Sequence, residues 1–157
     1  MLPREDLNIA GRLTLRKITL DGVLVDETQA HNDITLAGRS LVARLFNKDS
    51  AAVNTSRVSK IGVGRSQNKF DPKSTALGDK VGETPISRIE TSEVVDASGR
   101  PRVLLRLVGE LGENDCNDAL CEAALFTDDN VMYNRVSFDT VTKSRQFKLT
   151  LVWEIMF

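Results

Sequence analysis

From Arg12 the chain alternates apolar and polar residues: Leu13 and Leu15 flank Thr14, and Ile18 and Leu20 flank Thr19. A strand points successive side chains to opposite faces, so this two-residue period predicts a half-buried β-strand. The apolar parity switches from odd to even across Arg16-Lys17. One extra residue in a strand does that, so a bulge is expected there. Asp21-Gly22 follows, with apolar runs on both sides, and suits the positive φ angles of a tight hairpin turn. Val23-Leu24-Val25 starts a return strand toward His31.

The period then lengthens. In the run Leu36 to Phe46, Leu41 with Leu45 and Val42 with Phe46 stand at i, i+4 spacing, which predicts one helix with its apolar face on a sheet. Asn32-Asp33 offers caps for its start, and Asn47-Lys48-Asp49-Ser50 ends it. Val58 to Gly64 reads as a short strand, and Arg65 to about Gly82 as a polar loop that is long for a compact domain and therefore either functional or mobile. Ile86 to Val95 and Arg102 to Val108 read as a hairpin about Ala97-Ser98-Gly99-Arg100-Pro101, and Gly112-Glu113-Asn114-Asp115 breaks the second strand. Ala119 to Phe126 and Val131 to Phe138 form another pair about Thr127-Asp128-Asp129-Asn130. Leu149 to Phe157 alternates to its end around the single Trp. Leaving that segment in water would cost several kcal/mol at roughly 25 cal/mol per Å² of apolar surface, so a strand locked inside a sheet is expected. A hairpin, one helix and about six strands predict a mainly β fold: an antiparallel β-sandwich with one α-helix, all in a single domain.

Composition narrows the function classes. A chain of 157 residues can build one core, and a net charge of −1 with no basic run argues against a nucleic-acid partner held through phosphates. No stretch approaches the roughly 20 apolar residues of a membrane span. Met1-Leu2-Pro3-Arg4-Glu5-Asp6 opens a polar lead-in with no apolar signal core, which implies a protein that stays in the cytoplasm. Cys116 and Cys121 lack the further ligands a zinc site needs, and two free thiols are expected, with a disulfide open only to a segment that turns back on itself. Asn54-Thr55-Ser56 matches a glycosylation pattern that carries no weight without a signal peptide.

Candidate chemistry is sparse. His31 is the only histidine, with Asp33 as its one local acid, and a structural role is favoured over general-base work. Gly62-Val63-Gly64 lacks the third glycine of a dinucleotide fingerprint and reads as a strand ending in a tight turn. Glu113, Asp115, Asp118, Glu122, Asp128 and Asp129 are carboxylates, but Glu113 to Asp118 does not match a calcium loop. Glu122 begins a strand of small apolar residues. It either pairs with an arginine such as Arg135 across strands or points to water. No cofactor and no metal are implied.

Several of these pieces together resemble a family of small bacteriophage tail structural proteins, also found in contractile injection particles. The pieces are Gly38-Arg39-Ser40-Leu41-Val42-Ala43, Val58 to Gly64 with its Gly-x-Gly turn, the polar loop closing on Ser74-Thr75-Ala76-Leu77, Glu122-Ala123-Ala124-Leu125-Phe126, Asn134 to Phe138, and Leu149 to Phe157. They run in order from Gly38 to the end. Ala124 stands where that family has glycine, and Arg65-Ser66-Gln67-Asn68 replaces its Gly/Thr-rich turn. The positions carried over are Gly62, Gly64, Glu122, Leu125, Phe126, Trp153 and Phe157, in structural roles. Residues 1–31 fall outside the match and are expected to be a hairpin that serves as a docking extension. The resemblance implies a non-enzymatic virion component of a tail (baseplate, tail tip or fibre attachment), assembled in the bacterial host cytoplasm. Its partners would be other tail proteins and further copies of itself, as a trimer or six-fold ring. A receptor-binding fibre end and a head decoration protein are the alternatives, with a small hydrolase built on His31 more remote.

Overall fold

The computed structural model describes residues 9–46 and 57–157. The helix stop at 47–50 and the pattern at 54–56 lie outside the described residues. The elements are β1 (Ala10–Thr19), β2 (Leu24–His31), β3 (Asp33–Ile34), α1 (Leu36–Arg44), β4 (Val58–Gly64), β5 (Lys80–Val95), β6 (Pro101–Leu111), β7 (Ala119–Thr127), β8 (Asn134–Thr142) and β9 (Phe147–Met156). The strands hydrogen-bond in the order β2-β1-β9-β6-β5-β4-β7-β8-β3, and every pairing is antiparallel. The mainly β architecture with one helix after an N-terminal hairpin is therefore as the alternation implies.

Strand β5 makes the corner. Lys80 to Pro85 pairs with β4 on one side, and Ile86 to Val95 pairs with β6 on the other. The register shifts between Ile86 and Arg88, just past Pro85, which has no backbone N–H to donate. One chain segment thus belongs to two layers, and the sheet curls over a common core. Leu13, Leu15, Ile61, Val63, Leu107, Leu120, Leu125, Leu149, Leu151 and Trp153 fill that core.

The N-terminal hairpin is not set apart from this body. β1 pairs along its whole length with β9 and lies between β9 and β2, with Leu13 and Leu15 in the core. Gly22 turns the hairpin at φ 95°, as Asp21-Gly22 implies. The irregularity falls between Lys17 and Ile18, and only against β2; the register with β9 is unbroken.

The helix differs from expectation in two ways. Its N-cap is Thr35, whose hydroxyl accepts the Gly38 N–H at 2.9 Å and donates to the Met132 carbonyl at 2.7 Å. Asn32 instead accepts the indole N–H of Trp153 at 3.1 Å, satisfying the one polar atom of that buried ring. And only Leu41 of the apolar stripe is buried; Leu45 and Phe46 are exposed. The helix seats by close approach, since a Cβ at Gly38 would collide with the Tyr133 carbonyl.

On the outer face, Glu154 of β9 bridges Arg12 of β1 at 2.8 Å and Arg106 of β6 at 3.0 Å. The hydrogen bond from Arg12, then that from Arg106, hold its carboxyl below the usual glutamate range against the opposing effect of burial. A carboxyl whose pKa drops on folding stabilises the protein above the unfolded value, and that contribution is lost as pH falls through the folded one. Glu154→Gln should therefore cost about 1 kcal/mol or less at neutral pH. Urea unfolding should show the gap to wild type closing in acid; a gap that widens in acid contradicts the assignment.

Candidate functional site: a buried ion pair under the Arg65–Asp79 loop

The residues singled out from sequence separate into two groups. Gly62, Gly64, Glu122 and Phe126 meet where β4 pairs with β7, with Gly62 opposite Ala124 and Gly64 opposite Glu122. Leu125 alternates to the other face of β7 and joins the main core, where Trp153 also lies. Phe157 lies past the end of β9, half-buried, exchanging backbone hydrogen bonds with Val103.

At the convergence, Glu122 is fully buried and bridges Arg135 of β8 at 2.9 Å, with side chains 0% and 4% exposed. The cross-strand pairing that sequence left open against a solvent-facing carboxylate is the one that forms. Its two oxygens do more than bind Arg135. Oε1 accepts the N–H groups of Ser66 at 3.1 Å and Asp79 at 2.8 Å, and Oε2 accepts that of Gly78 at 3.1 Å. Arg135 meanwhile donates to the carbonyls of Asn68 at 2.9 Å and Ser66 at 3.2 Å. Both ends of the loop between β4 and β5 are thus stitched to one ion pair. The long loop is fixed to the body of the sheet.

The glycines and aromatics explain why these residue types are needed. A Cβ on Gly64 would overlap both the Asp79 carbonyl and the Glu122 carboxylate, so only glycine lets the loop ends close over the acid. A Cβ on Gly62 would lie 2.6 Å from the Phe126 ring and 3.3 Å from Leu77. Leu77, Ala124, Phe126 and Met132 form a second, smaller core that holds the loop's far end down. Arg65 closes the rim, pairing with Asp79 at 3.0 Å and Asp118 at 3.2 Å. The loop also reaches the helix, where the Pro72 carbonyl accepts the Leu36 N–H at 2.8 Å.

The other candidates do not join this site. His31 is exposed on edge strand β2, opposite Arg12. Tyr133 is buried, and that burial pushes its hydroxyl pKa up. Cys116 and Cys121 are free, and burial raises both thiols, so neither is a thiolate at neutral pH. Of the Glu113–Asp118 carboxylates, Asp115 accepts the Gly112 N–H at 2.8 Å within its own loop, and Asp118 binds Arg65 across from it. That segment closes over Lys143, a buried lysine missed in the sequence reading. Its ammonium donates to the Glu113 and Ser144 carbonyls and, at 2.7 Å, to Asn117 Oδ1. Among the described residues, no group of three or more His, Cys, Asp and Glu could hold a metal ion, and no helix is long and apolar enough to cross a membrane.

Sequence reasoning offered the Glu122–Arg135 pair as one of two alternatives, and it read Gly62 and Gly64 as a strand ending in a tight turn, whereas the structure needs them for close approach to Phe126, Asp79 and Glu122. It missed that the acid's other partners are backbone amides of the loop, because an amide carries no residue-type signal. Comparisons with protein-family models, curated proteins and solved structures returned no match.

Removing one partner of a buried ion pair costs about 3–5 kcal/mol, because the other charge stays buried alone. Glu122→Gln and Arg135→Met should each lower stability by that order in urea unfolding. The double variant Glu122→Leu with Arg135→Leu should recover part of the loss, yet leave the Ser66, Gly78 and Asp79 amides without acceptors. Trypsin should then cut at Lys69 and Lys73 faster than in wild type, while the tryptophan fluorescence of the core stays native. Equal protease resistance in the double variant would contradict the stitching.

Proposed function

We propose that this protein is a non-enzymatic structural component of a phage virion, acting at the tail as baseplate, tail tip or fibre attachment. The observation that carries the reading is the Glu122–Arg135 pair with Gly64 and the 65–79 loop. Gly64, Glu122, Arg135 and the loop's close at Ser74 to Leu77 belong to the tail-protein resemblance, while Arg65 to Asn68 departs from it, and together they form one interlocking unit that holds a surface loop in a fixed shape. The chemistry fits a scaffold. The acid and the guanidinium are buried and fully engaged with each other and with backbone groups. A fixed polar loop on a rigid β body is what an assembly protein presents to its neighbours.

The partners under this reading are other tail proteins and further copies of the chain, as a trimer or a six-fold ring. It works in the particle after assembly in the host cytoplasm. A receptor-binding fibre end is less well supported, because the only tyrosine is in the core rather than on a binding surface.

Immunogold electron microscopy of particles released from cells carrying the gene tests this directly, using antibody against the purified chain. Label at the tail or its tip is expected. Label on the head would support a decoration role instead, and label only in the particle-free fraction would overturn the virion reading.

A further inference from the structure

The chain crosses from β6 to β7 and again from β8 to β9, and the two crossings lie side by side. β6 pairs with β9 and β7 with β8, so four strand ends meet there. Lys143 lies at that junction and is 2% exposed. Its ammonium donates to two oxygens of the first crossing, the Glu113 carbonyl at 3.3 Å and Asn117 Oδ1 at 2.7 Å. The third N–H goes to the second crossing, to the Ser144 carbonyl at 3.1 Å. The backbone N–H of Lys143 donates to the Asp118 carbonyl at 2.9 Å.

All three oxygens around the ammonium are uncharged. Backbone carbonyls and side-chain amide oxygens are the ligands that hard cations take, and carbonyl oxygens can replace the water shell of a monovalent ion. The amide of Asn117 is oriented for this: its Nδ2 donates to the Glu113 carbonyl at 3.1 Å, which turns Oδ1 toward the ammonium. Burial lowers the pKa of the ammonium, while Asp115, Cys116 and Glu113 push it back up. The loop does not close by local preference alone. Cys116 stands at φ 49°, in the left-handed region that a residue with a side chain keeps only when its surroundings hold it there. The loop's far end reaches the site described above. Asp118 binds Arg65 at 3.2 Å, and Arg65 binds Asp79 through its side chain at 3.0 Å and its backbone N–H at 2.9 Å.

We propose that Lys143 is a tethered cation: residues 112–118 fold round its ammonium as round a bound monovalent ion, and through Asp118 it positions Arg65 at the rim of the 65–79 loop. When the side chain is cut away, the oxygen site it leaves takes a small cation that carries N–H groups. The inference stands on the geometry of this junction and does not depend on the virion reading.

Amide hydrogen exchange in the full chain tests it, because the N–H groups at position 143 and at Arg65 bond to Asp118 and Asp79. Lys143→Ala should speed exchange at both by about ten-fold or more, while Leu125 in β7 stays native. Methylammonium chloride should restore slow exchange. Tetramethylammonium chloride at equal ionic strength should not, because it has no N–H to donate. Lys143→Met fills the site with an apolar chain, so it should exchange fast in either salt. Asn117→Ala keeps the lysine and removes one oxygen, and it gives a second reading should Lys143→Ala fail to fold. Position 143 and Arg65 should again exchange faster than in wild type. Native exchange in Lys143→Met or Asn117→Ala, or equal effects of the two salts on Lys143→Ala, would overturn the proposal.

Discussion

A carboxylate cut off from water must find its hydrogen bonds inside the protein, and a bare buried charge costs several kcal/mol. Glu122 finds three backbone amides, from Ser66, Gly78 and Asp79, and two guanidinium nitrogens of Arg135. Because those amides come from both ends of the 65–79 segment, satisfying the acid and shaping the loop are one event. The demand then spreads outward. Position 64 must be glycine for the loop to close, and Leu77 is drawn into the small core with Phe126 and Met132. The loop's Pro72 carbonyl takes an N–H at the start of α1. The ion pair thus couples β4, β7 and β8 to the loop and, through the loop, to the helix.

The second constraint is the corner at Pro85. The corner lets one strand, β5, pair in both layers, while the chain crosses between them again from β6 to β7 and from β8 to β9. It also leaves the outer half of β5 with a partner on one side only. Exposed Ile89, Val95 and Val103 follow from that geometry. The rigid loop and the open edge lie on different parts of the same sheet, so the protein can present two independent surfaces.

Much of the fold was legible where apolar and polar residues alternate, as in β1 and β9, and where turn residues separate two apolar runs, as at Gly22 and Gly99, which adopt φ of 95° and 78°. β7, buried along nearly its whole length, shows no such period. What stayed hidden was carried by backbone and by context. Thr35 caps the helix rather than Asn32, because Asn32 is claimed by Trp153, 121 positions away. Leu45 and Phe46 fit a helical stripe but project beyond what the sheet covers. Lys143 gives no local sign of burial; its shell of two carbonyls and Asn117 assembles only when residues 113–118 fold over it. The site itself was half legible. Glu122 stood out as a charge in a small apolar strand, whereas the amides that complete its shell have no signature in residue type.

The central claim is that one buried carboxylate fixes the 65–79 loop. Native-state hydrogen exchange at the Ser66, Gly78 and Asp79 amides measures it without any substitution. The account predicts that all three exchange as slowly as Leu125 within β7. Exchange as fast as that of the exposed turn at Asp128 to Asn130 would mean that the loop opens freely and that the carboxylate does not hold it.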